Sequence, residues 1–466
     1  NSSYGLMQQV AWSISQRLIP LFKEYDISNI AVCCGQGNNA GDGYLLAKYL
    51  KQHGFAVDIY AAELGTSQDL QSAHKETQEE NIKIVSGFNF QKKYDCVVDA
   101  LFGIGLNREL DEKWQDVIYY INEHKALKVA IDIPSGLQAN TGQPLPCAVK
   151  ADYTFTVLAL KAGLFTGKAK EYTGVIETIS LIPKDSELHA VAQLAPTNIT
   201  LPTRKAFGHK GSYGHVLVVG GHAEMGGAVI MAAESAFAAG AGKVTVACHA
   251  NHHVAILSRA PNIMLKDINH LNKQDIEVIL NQVDAVCFGM GLGRDEWAKT
   301  QYQAWFDLIL KSNLHVVLDA DALWFLAENP QQMNDKVFLT PHPGEAAKLL
   351  NCQVADVEND RIKAIHSLKE KYSGQWLLKG SGSLILENNE LWICTAGNAG
   401  MGTGGMGDIL SGLAASLKAQ FDEEIMLHDI VTLHAIAGDE LAKDGMRGLQ
   451  AFEMSKAIYK VINNKK

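Results

Sequence analysis

The 466-residue chain has no run of about 18 uninterrupted apolar residues, so nothing in it reads as a membrane-spanning helix. It also has no basic cluster. With 41 Lys and Arg against 51 Asp and Glu the net charge is −10, which argues against binding a nucleic-acid backbone. The eight cysteines, at positions 33, 34, 96, 147, 248, 287, 352 and 394, lie mostly within apolar runs and show no CxxC spacing. That pattern predicts reduced core thiols rather than disulfides, and a cytoplasmic location. The first residues lack the basic start and apolar run of a secretory leader. No internal repeat, low-complexity tract or Walker A sequence is present. The stretch "CHANHH" (248–253) has no second ligand pair at zinc-like spacing and reads as a solvated loop.

What is present is an ordinary globular composition, 47% apolar and 20% charged, in a chain long enough for two or three domains. Each half alternates short, near-continuous apolar runs with helical ones, as strands buried on both faces do. In the first half the strands are "NIAVCC", "AVDIYAA", "YDCVVDALFG", "KVAIDIPSG", "DYTFTVLAL" and "GVIETISLI", with "DGYLLAKYLKQHG" and "KWQDVIYYINEHK" as helices. A doubly wound parallel sheet follows. A polar, proline-bearing stretch over 183–212 reads as a linker. The pattern then resumes with "HVLVVGG", "GKVTVAC", "VDAVCFGMG", "LHVVLDADAL", "KVFLTPHPG", "QWLLKGSGSLI" and "ELWICTAG", a second and larger α/β unit.

The chemistry-bearing residues cluster at strand ends. "GQGNNAGDG" (35–43) is a glycine loop between a strand and a helix, but its G-x-G-x-x-x-G spacing is one residue too long for the dinucleotide fingerprint of a dehydrogenase. Asp99 and Asp132 end two further strands, and carboxyl ends of neighbouring parallel strands converge on one crevice. Either Asp is equally readable as a cap or turn residue by itself. The second half repeats the logic with "GMGLGR" (289–294), Asp319 and Asp321, His342 and Glu345, "KGSGS" (379–383) and the glycine-dense "TAGNAGMGTGGMGD" (395–408). That last loop opens into an amphipathic helix, whose free amides and positive dipole end suit a phosphate. The competing reading is that Asp408 merely caps that helix.

"GQGNNAGDG", "VVDALFGIGLNRE" and "AIDIPSG" resemble the NAD(P)H-hydrate epimerases. "HKGSYGHVLVVGG", "TPHPGE", "KGSGS" and "NAGMGTGGMGD" resemble the ADP-dependent NAD(P)H-hydrate dehydratases, and the two kinds of domain occur fused in bacterial repair proteins. The resemblance implies an α/β chain: an N-terminal Rossmann-like doubly wound sheet over 1–190, followed by a ribokinase-like α/β domain over 205–466. It places epimerase substrate contacts at Asn38, Asn39, Ala40, Gly41 and Asp42, at Gly103, Ile104, Gly105, Leu106, Asn107, Arg108 and Glu109, and at Asp132. Potassium falls to Asn39, Asp99 and Ser135. In the second domain it assigns the nucleotide to Lys379, Gly380, Ser381, Gly382, Ser383 and Gly407, and the hydrated cofactor to Ala228, Gly291, His342 and Asp408. Asp132 and Asp408 are the catalytic residues so implied, with K+ and Mg2+ as ions and ADP as co-substrate. Small-molecule substrates and a homo-oligomer are expected, with no nucleic acid and no membrane. Ala40 stands where the family usually has glycine, and Asn262 where it usually has glutamate. A ribokinase-like small-molecule kinase, joined to a non-catalytic Rossmann-like binding module, is the alternative.

Overall fold

The computed structural model describes residues 2–90, 92–183, 189–204 and 206–463. It divides into two compact units, residues 1–190 and 191–466. The ends of the expected domains at residues 1, 205 and 466 lie outside the described residues, as do 184–188 of the expected linker. No helix among the described residues is long and apolar enough to cross a membrane. All eight cysteines are free; seven are buried and Cys352 is half-buried.

The first unit is a seven-stranded parallel sheet. Its strands are β1 (Asn29–Cys34), β2 (Ala56–Ala61), β3 (Lys83–Ser86), β4 (Cys96–Ala100), β5 (Leu127–Ile131), β6 (Tyr153–Val157) and β7 (Val175–Ile179), in the order β3-β2-β1-β4-β5-β6-β7. The long apolar runs of β1 and β4 are almost wholly buried because helices cover both faces. One face carries the helices Ser3–Glu24, Asn38–Gln52 and Gln68–Gln78. The first of these buries Met7, Val10, Ala11, Ile14, Leu18 and Phe22, a three-to-four spacing that puts one stripe against the core. Helix Glu112–Glu123 covers the other face through Ile118 and Ile121. Strand order reverses between β1 and β4, so the crevice opens at the carboxyl ends of those two strands.

The second unit has a ten-stranded sheet. It comprises β8 (Gln193–Leu194), β9 (His215–Val219), β10 (Lys243–Cys248), β11 (Met264–Asp267), β12 (Ala285–Phe288), β13 (His315–Leu318), β14 (Met333–Leu339), β15 (Ser373–Leu378), β16 (Ser383–Glu387) and β17 (Glu390–Cys394), ordered β11-β10-β9-β12-β13-β14-β15-β16-β17-β8. From β11 to β15 every pair is parallel; β16 runs antiparallel to both its neighbours. The "KGSGS" stretch is therefore a hairpin connection. Strand β8 lies inside the stretch read as linker, where it pairs with β17 and Ala195 joins the second core.

Helices Gly226–Ala238 and Met406–Phe421 pack against each other over the buried face of this sheet. Their approach depends on Gly412, where an added Cβ would stand 2.0 Å from the carbonyl oxygen of Ala232. Gly412→Ala should lower the unfolding free energy of this unit by about 1–3 kcal/mol through overpacking, read as a lower urea midpoint. Gly227→Ala, where a Cβ meets nothing within 4 Å, should leave the midpoint unchanged or raise it.

Candidate functional site

In the first unit a cavity of about 490 Å³ opens at the carboxyl ends of β1, β4, β5 and β6. It is lined by Asn38, Asn39 and Asp42 after β1, by Gly103 to Arg108 after β4, by Asp132 after β5 and by Lys161 after β6. Ten of the expected substrate residues meet there: Asn38, Asn39, Asp42, Gly103, Ile104, Gly105, Leu106, Asn107, Arg108 and Asp132. Glu109 instead faces a smaller adjoining cavity of about 140 Å³ with Trp114. Ala40 and Gly41 are buried behind the wall, Gly41 against Met7. They belong to the helix Asn38–Gln52, which starts within the glycine loop rather than at Asp42. Helical backbone carries the Ala40 methyl without strain, so the departure from glycine is harmless to the fold.

Asp132 adopts a left-handed backbone, φ 68°, that turns its carboxylate over the strand ends. Oδ1 accepts from Lys161 Nζ at 2.5 Å and from the Val157 amide at 3.2 Å; Oδ2 receives only a long contact of 3.4 Å from the Ile104 amide. Asp42 shares the cavity, and burial, reinforced by the Asp132 charge, pushes its carboxyl well above the ordinary range.

Behind the wall, Asp99 and Ser135 are wholly buried. Asp99 accepts from the Ser135 amide (2.7 Å), the Ser135 hydroxyl (2.6 Å) and the Leu101 amide (3.2 Å). Burial still pushes its pKa up to about 6 against those bonds. Asn39 donates through Nδ2 to the Phe102 carbonyl at 3.0 Å, while its buried Oδ1 has no partner. An orphaned amide oxygen beside a carboxylate, a hydroxyl and a carbonyl is a hard-oxygen donor set, which suits a monovalent cation.

In the second unit the loops after β9, β12, β13, β14, β15 and β17 meet at the same sheet edge. Lys379 Nζ donates to Asp319 Oδ1 at 2.8 Å and lies 3.9 Å from Glu345. Burial opposes the ammonium, but Asp319, Glu345 and Asp408 outweigh it and hold its pKa above the ordinary value. A Cβ at Gly407 would stand 3.1 Å from Asp319 and 3.3 Å from Lys379, so the glycine helix start closes directly over this pair. Asp319 Oδ2 also accepts from Ser411, one turn further along the same helix, at 3.1 Å. Asp321 bonds the Gly293 amide and Arg294 Nε, both at 2.8 Å, and fixes the "GMGLGR" loop. Gly291 stands at φ 58°, with a Cβ position 3.2 Å from Ala228, so two expected substrate residues are neighbours.

His342 is the cap of helix Pro343–Leu350. Its Nδ1 accepts from the Gly344 and Glu345 amides, which leaves the proton on Nε2, and Glu345 bonds back to the His342 amide. Burial and then Lys379 lower its pKa, so it is a neutral donor at the site rim. Gly380, Ser381, Gly382 and Ser383 form the β15–β16 hairpin; Ser383 Oγ donates to the Gly380 carbonyl at 2.9 Å. Arg361, almost wholly buried, donates to the carbonyls of Leu378 and Lys379 at 3.1 Å each and anchors that hairpin from below.

The glycine-dense loop is anchored by Asp439, which accepts from the Gly397 amide (2.9 Å) and the Asn398 side chain (2.8 Å). Gly405 caps the following helix at φ 97°, and a Cβ there would reach 2.6 Å from Met231 Sδ. Asp408 is the third residue of helix Met406–Phe421 and makes no capping bond, so the helix-cap reading does not hold. Burial, then Asp319, push its pKa up to about 7 against the pull of Lys379. It sits among first-turn amides that have no intrahelical partner. The hard carboxylates Asp319, Glu345 and Asp408 suit Mg2+ in chemistry. No three-residue metal cluster forms among the described residues.

Sequence reasoning missed Lys161 and Arg361. The first carried a signal, a lysine just beyond β6 on the same sheet edge as Asp132. Asn262 stands exposed in the turn before β11 and makes no contact that explains its departure from the family pattern.

Two family models match the chain: the YjeF-related protein N-terminus over residues 3–163 and the NAD(P)H-hydrate dehydratases over 216–460. The chain is 38% identical over 481 aligned positions to a bifunctional NAD(P)H-hydrate repair enzyme of Coxiella burnetii, covering 99% of this chain and 95% of that protein. It is 35% identical to the enzyme of that name from Escherichia coli, covering 94% and 86%. Among solved structures, a ribokinase-like superfamily protein from Enterococcus faecalis superimposes with a TM-score of 0.53 at 26% identity, over 60% of this chain and 98% of that one.

The Asp408 environment has a pH signature. Its carboxyl, pushed up to about 7 when folded, returns to the ordinary aspartate value of 3.8 when exposed, so between those values the folded state binds more protons. Stability contributed by this group is full below the lower value and is lost as pH rises through the upper. From about pH 4 to about pH 8 the melting temperature of the second unit should therefore fall more in the wild type than in Asp408→Asn, measured by thermal unfolding across pH. Parallel profiles would mean that the carboxylate is not buried against its neighbours.

Proposed function

Because this chain belongs to the bifunctional NAD(P)H-hydrate repair enzymes, an epimerase domain followed by a dehydratase domain, we propose that the two crevices divide the repair of hydrated NADH and NADPH between them. The observation that carries the dehydratase assignment is Asp408, an uncapped, desolvated carboxyl in the first turn of a glycine-started helix, with Lys379 beside it.

Hydrated NADH bears a hydroxyl on the carbon next to the ring nitrogen. Hydroxide leaves poorly. Transfer of the terminal phosphoryl of ADP to that oxygen turns it into phosphate and yields AMP; the ring nitrogen lone pair then expels phosphate as the neighbouring carbon loses a proton. Asp408 accepts the hydroxyl proton, and Lys379 with the first-turn amides receives the moving phosphoryl charge. Gly380 to Ser383 and Gly407 hold the nucleotide; Ala228, Gly291 and neutral His342 face the hydrated ring. Mg2+, when bound, neutralises phosphate charge beside Asp319, Glu345 and Asp408. The kinase alternative lacks the support of the family.

Only the S epimer presents its hydroxyl to that site, so the R form must be inverted. In the first unit the hydroxyl takes a proton from Asp132 and leaves as water while the nitrogen lone pair forms an iminium. Water then adds to the opposite face and gives its proton to Asp132. The loop residues Asn38 to Asp42 and Gly103 to Glu109 hold the substrate. A potassium ion held by Asn39, Asp99 and Ser135 supplies fixed positive charge beside those loops. The free thiols support a cytoplasmic location, and we expect a homo-oligomer.

Asp408→Asn should slow dehydration of the S epimer by about 100- to 10,000-fold while nucleotide binding by calorimetry survives, since only the base is lost. Retention of most turnover would remove Asp408 from the chemistry. Exchanging potassium for tetramethylammonium, whose methyl groups keep oxygen ligands away from its charge, should reduce R-epimer consumption toward its spontaneous rate and leave the S epimer processed normally. Chromatographic separation of the epimers reads both.

A further inference from the structure

Lys161 has no assigned role, yet it is the most fully engaged cation of the first cavity. Its ammonium donates to Asp132 Oδ1 (2.5 Å), to the Val157 carbonyl (2.7 Å) and to Thr156 Oγ1 (3.0 Å). An ammonium has three N–H donors, and here all three are taken by protein acceptors on or beside one strand end. No donor is left for a substrate phosphate, so Lys161 acts on the reaction through Asp132. The two side chains are only 14% and 13% exposed, so the contact is shielded from the screening that weakens surface pairs.

The pair also separates the two oxygens of Asp132. Oδ1 is saturated by Lys161 and the Val157 amide, while Oδ2 carries only the 3.4 Å contact from Ile104, a residue that is 60% exposed in the cavity-lining loop. We propose that Lys161 is the positioning residue for epimerisation, locking Asp132 through Oδ1 so that Oδ2 is the atom that exchanges the proton with substrate and water. The arrangement also holds a non-glycine residue at φ 68°, a conformation that needs its surroundings to fix it. The inference rests on the reading of Asp132 as the proton acceptor.

The test uses the full chain and both epimers. Lys161→Ala should lower kcat for R-epimer consumption about 100-fold, the scale of a misplaced catalytic group, with little change in KM. Added ethylammonium should restore much of that loss by refilling the cation position. Dehydration of the S epimer should be unaffected and reports on the integrity of the chain. Lys161→Met, which keeps the packing and lacks the charge, should show the same kcat loss should the alanine variant fail to fold. Wild-type kcat in either variant, or a loss that ethylammonium does not restore in Lys161→Ala, overturns the inference. Asp132→Asn separates the two levels. If it epimerises at the wild-type rate the reading of Asp132 itself fails; if it is inactive while the Lys161 variants are normal, only the positioning role fails.

Discussion

A carboxylate taken out of water must be paired, protonated or bound to an ion, and each half of this chain meets that demand with one lysine from another strand end at the same sheet edge. Lys161 meets Asp132 in the first unit and Lys379 meets Asp319 in the second. Both lysines stand just beyond parallel strands, where the twist of the sheet brings successive ends to one edge. The pairs let a cluster of acids persist at each crevice without all being neutralised. The remaining acids are driven toward their protonated forms, Asp42 and Asp99 in the first unit and Glu345 and Asp408 in the second.

The glycines follow from the same requirement. For Asp408 to lie beside Lys379, the helix carrying it must start flush against the Asp319 pair and run close along the helix Gly226–Ala238. Gly405 provides the left-handed start, Gly407 leaves room over Asp319 and Lys379, and Gly412 permits the close helix contact one turn later. The proposed phosphate site thus has backbone amides above the Asp319–Lys379 pair, and Arg361 fixes the facing hairpin from below. The kinase-like shape of a dehydratase has a chemical reason: making phosphate out of hydroxide is a phosphoryl transfer.

Much of this was legible in the sequence because parallel strands buried on both faces leave continuous apolar runs, and the runs of β1, β4, β5, β12, β13, β14 and β15 were each followed by a candidate site loop. The elements that escaped notice are those without such runs. Strand β3 (KIVS) and strand β11 (MLKD) lie at sheet edges and are half-exposed, and β8 has two residues. The helix that the sequence pattern begins at Asp42 starts four residues earlier, at Asn38, because Asn and Ala accept helical backbone next to a glycine. Lys161 and Arg361 left no periodic trace. Each acts across strands on residues 29 and 17–18 positions away, a contact that only the folded sheet creates.

The central claim is that the second unit removes a hydroxyl by phosphorylating it. Its most direct test is product stoichiometry: the full chain incubated with S-epimer hydrated NADH and ADP, with phosphorus NMR and dihydronicotinamide absorbance followed together. The account requires one AMP and one inorganic phosphate for each NADH restored, and no restoration above the spontaneous rate without nucleotide. A phosphorylated substrate that accumulates without NADH formation, or NADH restored while ADP stays intact, would contradict it.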